Sequence, residues 1–213
     1  MFDKKASASA GVSASPDDDP RRTAIVARAR KAFMSSGYAA ARVEPIARAA
    51  GVSTATLYGY FPSKEHLFEG VIADASVDFA VRMGAVGAAE GSARERLTGF
   101  ASAYAEFMGD AFVRSVFRLV MAERPRFRDV AITFFERGRS DFGAPLIGVL
   151  AELDRAGELR VEKPSWAAGQ LMGMVEHPVF LMPLVTGDEI HPARPIAQIA
   201  ADAVETFLAR YGV

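Results

Sequence analysis

From Thr54 to Lys64 the chain sets out Thr54, Thr56, Tyr58, Tyr60 and Lys64, with the small residues Ala55 and Gly59 between them. Threonine and tyrosine hydroxyls and a lysine ammonium bind phosphate oxygens, and a threonine can also pair with a base edge or touch a thymine methyl. Small residues let backbone come close to a partner. A short helix carrying these groups suits a DNA groove. The remaining chemistry-bearing residues are scattered. His66, His177 and His191 lie far apart in sequence, and there is no cysteine. No metal-spaced pair, nucleophile elbow or phosphate-binding glycine loop is present. Glu176-His177 is the one adjacent acid–imidazole pair, and neighbours on a helix do not face each other. These observations argue against an enzyme, a metal site and a cofactor. The missing cysteines remove disulfides and fit a cytoplasmic chain.

Charge is unevenly placed. Residues 21–64 hold eight Lys or Arg and the single acid Glu44, a net of +7. Residues 65–213 hold 15 basic and 21 acidic residues, a net of −6. A basic module on an acidic body points to a polyanion partner for the module alone. No apolar run reaches the roughly 18 residues that span a bilayer, so no membrane partner is expected.

The elements that must position these groups read as helices throughout. The expected fold is all-α, with about nine helices, a three-helix helix-turn-helix head (residues 20–66) and a helical body (residues 67–213). Residues 1–19, Ala/Ser-rich and ending in Asp17-Asp18-Asp19, lack a hydrophobic period and are expected to be a disordered tail. Pro20 suits a first helical turn capped by Asp18 or Asp19, and Ile25, Val26, Ala29, Ala32 and Phe33 form its inner face to Gly37. A second helix covers 43–50 and lacks a capping side chain, because Arg42 and Val43 precede it. A third covers 54–61, capped by Ser53, with Leu57 and Phe61 inward. Ser63 caps a fourth, which fades near 84–91. Ser92…Glu95 is a capping box for the fifth, and a sixth covers 111–123. A long helix over 127–156 should kink at Pro145. Two further helices span 164–185 and 192–211, with bends at Pro178 and Pro183.

Residues 21–72 resemble the DNA-binding domain of the TetR/AcrR family of bacterial transcriptional regulators. The resemblance rests on Ile25…Ala32-Phe33…Gly37-Tyr38, on Ile46-Ala47…Ala50-Gly51-Val52-Ser53, and above all on the run from Thr56 through Tyr58-Gly59-Tyr60-Phe61-Pro62-Ser63-Lys64 to Phe68. It implies a symmetric dimer on a double-stranded operator, probed by the third helix. Thr54, Ala55, Thr56 and Gly59 then stand where groove contacts are made. Tyr58, Tyr60 and Lys64 stand where phosphate is held, although either tyrosine could instead pack between helices. The family usually has Thr or Ser before the second helix. Arg42 stands there and can still meet a phosphate, but the cap is lost. Gly59 is small where a larger reading side chain is common, so shape readout should weigh more.

In the body, Phe100, Tyr104, Phe107, Phe117, Met121, Phe134 and Phe135 form an aromatic stripe on successive helices. Such a stripe packs a core or walls a pocket. The resemblance favours a pocket for a small hydrophobic or amphipathic effector. Arg118, Arg137 and Arg139 are candidates for an anionic group of that effector, with the surface as their plainer place. His177, between Val175 and Val179, is kept as a ligand candidate beside its reading as a buried or interface histidine. The last two helices are apolar on more than one face and need a second partner. A four-helix homodimer interface would supply it, setting two heads roughly 34–36 Å apart. The expected function is a ligand-responsive repressor. An effector-independent architectural DNA-binding protein is the alternative, and a cavity of several hundred Å3 would argue against it.

Overall fold

A computed structural model describes residues 19–83 and 90–213. Among them every named element is helical, and one isolated bridge joins Leu159 to Gly212 near the C-terminus. Residues 1–18 of the expected tail and residues 84–89, where the fourth helix was expected to fade, lie outside the described residues.

The head consists of α1 (Pro20–Ala40), α2 (Val43–Ala49) and α3 (Thr54–Tyr60). Asp19 caps α1 by accepting the Arg21 N–H at 2.8 Å, and Pro20 takes the first helical position, where no N–H is needed. Gly37 breaks the regular helix at φ 74°, a left-handed value that glycine adopts without a Cβ penalty, and one further turn runs on to Ala40. Arg42 precedes α2 and makes no side-chain capping bond, as the sequence implied. Gly51, at φ 72°, turns the chain toward α3. Ser53 accepts the Thr56 N–H at 3.0 Å and so caps α3. Ile25, Val26, Phe33, Ile46, Leu57 and Phe61 close the head core.

Helix α4 (Lys64–Met83) joins head and body. Its Leu67, Phe68, Val71 and Ile72 are buried, and Arg30 of α1 pairs with its Asp74 and Asp78 at 3.3 and 2.8 Å. Gly70 makes the close packing possible: a Cβ there would lie 2.7 Å from the Phe61 ring. The body continues with α5 (Ala93–Met108), α6 (Ala111–Glu123), α7 (Arg128–Gly138), α8 (Ala144–Arg155), α9 (Pro164–Glu176), α10 (Met182–Thr186) and α11 (Ile196–Tyr211). The Ser92–Glu95 capping box at the start of α5 is formed, and Asp110 caps α6.

Three expectations are corrected. The long helix over 127–156 is two helices joined by a π-turn at Arg139–Gly143, and the break precedes Pro145. The wider turn lets Ala144 N–H reach back to Arg139, so Pro145 falls in the first turn of α8, where its missing N–H costs least. The helix over 164–185 is divided in the same way by a π-turn at His177–Leu181, which accommodates Pro178 and sets Pro183 at the start of α10. The last helix starts at Ile196 rather than at 192, after the residues Gly187 and Asp188 take left-handed φ of 67° and 69° and Pro195 forms its N-cap.

Candidate nucleic-acid interface and effector cavity

On α3, Leu57 is fully buried and anchors the helix, leaving the opposite face outward. Ala55 and Gly59 are exposed, Tyr58 is 42% exposed, and Thr54, Thr56 and Tyr60 are half-buried. Arg42 is also exposed, at the start of α2. The expected contact residues therefore reach solvent to differing degrees. The Thr56 hydroxyl shares a 2.8 Å hydrogen bond with Ser53, so part of its capacity is spent on the cap. The Tyr60 hydroxyl donates to Asp19, which sequence reasoning did not foresee because the two are 41 residues apart. That bond draws the Asp19 carboxyl below its ordinary range and pushes the Tyr60 hydroxyl up. Lys64 donates to the Ala39 carbonyl at 3.2 Å and stands 4.5 Å from the centre of the Tyr38 ring. Gly59 has open space where a Cβ would be added.

A latch ties this head to the body. Arg126, in the loop before α7, pairs with Glu65 at 2.5 Å and lies 4.8 Å over the Tyr38 ring. Phe127 stacks on Phe68 with centroids 4.5 Å apart and meets Tyr38 edge-on at 4.9 Å. Tyr38 donates to Glu65 at 3.0 Å. The Glu65 carboxyl falls to about 2, held by its own backbone N–H at the start of α4, then by Ser63 and Tyr38. Burial, then the bond to Glu65, raises the Tyr38 hydroxyl to about 12.

The other end of α7 walls a cavity of about 470 Å3 between α4, α5, α6, α7, α8 and α9. Of the expected ligand residues, Tyr104, Phe117, Phe134 and Phe135 line it. Phe100 and Phe107 are buried in the core instead, Met121 is 58% exposed, and His177 is exposed at the second π-turn, so none of these four belongs to the cavity lining. Arg137 and Arg139 do line it, whereas Arg118 pairs with Asp188 at 2.8 Å. Sequence reasoning missed Phe79, Phe142, Phe180 and Glu176. The first three share the helical spacing of any core residue, and the π-turns that aim Phe142 and Phe180 have no marker in a 3.6-residue period. Phe117 meets Phe134 and Phe180 edge-on at 5.0 and 4.8 Å, the spacing of attractive ring contacts.

Comparison with known proteins agrees with this geometry. Residues 25–71 match the tetR family of bacterial regulatory proteins, and residues 95–213 match the C-terminal domain of AefR-like transcriptional repressors. A stretch of 75 residues is 39% identical to the HTH-type transcriptional regulator EthR of Mycolicibacterium smegmatis, covering 32% of this chain and 35% of that regulator. The crystal structure of a TetR-family regulator from Mesorhizobium loti superposes with a TM-score of 0.76 at 25% identity, over 91% of this chain and 97% of that one. The flavonoid-responsive regulator FrrA superposes with a TM-score of 0.73 at 30% identity, over 90% of this chain and 97% of that one. With a helix-turn-helix head of that type and a body of the AefR-like type, the chain belongs to the TetR family of bacterial DNA-binding transcriptional regulators.

Proposed function

We propose that this chain is a homodimeric repressor whose head, residues 20–66, holds operator DNA and whose body, residues 67–213, releases it when a small apolar effector enters the cavity. Helix α3 enters the major groove, with Thr54, Ala55, Thr56 and Gly59 against the bases. Arg42, Tyr58, Tyr60 and Lys64 face phosphates. The observation that carries the effector half is a single helix, α7, that lines the cavity with Phe134 and Phe135 and begins beside Phe127 of the head–body latch. A body packed solid would instead have favoured an effector-independent DNA-binding protein, and the cavity lies within the few hundred Å3 typical of small-molecule sites.

The dimer forms through α9, α10 and α11. Leu181 and Val185 are exposed there, the latter by 76%. Grooves lined by Met174, Pro178, Met182, Ile199 and Ala203 run between the same elements. A two-fold axis through this face makes the same patch meet itself. The reported flavonoid response of FrrA supports an aromatic effector for this chain as well.

The test is a footprint of the full-length protein on DNA flanking its own gene. A protected, two-fold symmetric site that weakens as salt rises is expected, because phosphate contacts release counterions. A folded dimer that protects no such DNA at low salt would refute the proposal.

A further inference from the structure

The cavity's polar groups are arranged with a direction. At its inner end Glu176, on the last turn of α9, accepts the hydroxyl of Tyr104. Tyr104 is 2% exposed, and its burial first, then the charge of Glu176, holds that hydroxyl protonated far above neutral pH. The Tyr104 proton is therefore committed to Glu176. No Lys, Arg or His among the described residues pairs with Glu176. The Ser76 hydroxyl, also on the lining, donates to the Ile72 carbonyl. The inner end thus offers a carboxylate acceptor outside any ion pair among the described residues, in a cavity that the rings of Phe79, Phe117, Phe134 and Phe180 also line. A carboxylate that receives one donor keeps further acceptor capacity, so a ligand that brings a second donor gains more than its apolar contact alone.

At the outer end the exposed residues Arg137 and Arg139 present guanidiniums, which take a carbonyl or carboxylate oxygen. Arg137 and Arg139 are balanced by Asp141 and Glu176 on the same lining, so the site carries no net charge that would draw in a cation. The aromatic rings on the same lining favour a flat ring system.

We propose that the effector is a planar aromatic compound with a phenolic hydroxyl at its inner end and a carbonyl or carboxylate oxygen at its outer end. Glu176 reads the phenol, with Tyr104 fixing the carboxylate, and Arg137 and Arg139 read the oxygen. This rests on the regulator reading above and names its effector class. A fatty acyl chain has no donor for Glu176, and an O-methylated phenol loses the one it had.

The experiment is calorimetric titration of the full-length protein with four probes: a hydroxyflavone bearing one free phenol, its O-methyl ether, the matching aromatic amine, and palmitate. The phenol should bind about 10- to 100-fold more tightly than its ether, the range for a hydrogen bond to a charged acceptor. Glu176→Leu should erase that difference by weakening the phenol alone. Tyr104→Phe, which frees the second carboxylate oxygen and keeps the acceptor, should preserve it and serves if Glu176→Leu fails to fold. Equal binding of phenol and ether, tighter binding of the amine or palmitate, or no binding of any probe would overturn the proposal. DNA binding by the probe-free wild type, measured alongside, separates failure of this proposal from failure of the regulator reading.

Discussion

At the proposed interface, single residues on α3 decide how DNA is approached. Gly59 lies on the exposed face with open space around its missing Cβ. Gly59→Ala should therefore fold normally and gain up to about 1 kcal/mol from better helix propensity. On DNA the added methyl should weaken binding by keeping the backbone away from the bases. A thermal melt and an anisotropy titration of this variant check both outcomes, and unchanged DNA affinity would remove Gly59 from the interface. Asp19 has two tasks, capping α1 and accepting the Tyr60 hydroxyl. Asp19→Ala should cost about 1 kcal/mol through the lost cap and free Tyr60 for phosphate, so stability and DNA affinity should move in opposite directions. Glu65 gives the latch a pH signature. Its carboxyl lies at about 2 against an ordinary 4.5, so its stabilising effect is complete above pH 4.5 and is lost as pH falls toward 2. Glu65→Gln should flatten acid destabilisation across that window in a pH series of thermal melts.

At the scale of elements, α7 and α4 both run from the latch to the cavity, and α7 reaches the latch through the residues just before it. Its N-terminal neighbours Arg126 and Phe127 hold Tyr38, Glu65 and Phe68, and its C-terminal half lines the cavity. Arg126→Ala removes a largely exposed ion pair, worth about 0–1 kcal/mol, together with the contact over Tyr38. Stability should change little, while the shift in DNA affinity caused by effector should shrink. A DNA titration with and without effector measures this, and an unaltered shift would exclude the latch from coupling. The same elements mark what was legible in the sequence. The head could be read closely because its signals are local: Pro20, Gly37, Gly51 and Ser53 each act within a turn of where they stand. The α7–α8 and α9–α10 breaks could not be located, because a π-turn inserts one residue into a helical period without changing its composition. Of the expected cavity residues, Phe100 and Phe107 lie in the core, because an inward stripe does not tell core from cavity wall, and Met121 and His177 face outward. The part played by Arg126 and the second task of Asp19 came into view only through partners 61 and 41 residues away.

For the whole molecule, the charge division gains a use once the fold is known. The net of +7 over residues 21–64 lies on the head, and the net of −6 over residues 65–213 lies on the body. Such a division orients the molecule as it nears DNA and keeps the body off the phosphates. In the proposed dimer, two heads meet one operator through the face formed by α9, α10 and α11. Val185→Glu, on an exposed position, should leave each chain folded while placing a charge in the interface. Light scattering should report monomers, and operator affinity should fall sharply because each head then binds alone. A variant that remains dimeric would place the interface elsewhere.

The most direct measurement is the affinity of the full-length protein for its flanking DNA across a salt series, with and without a planar phenolic compound. Affinity that falls steeply and log-linearly with salt, and drops further when the compound binds, is the expected result. Salt-independent affinity, or DNA binding indifferent to a compound shown to occupy the protein, would contradict a repressor switched from its cavity.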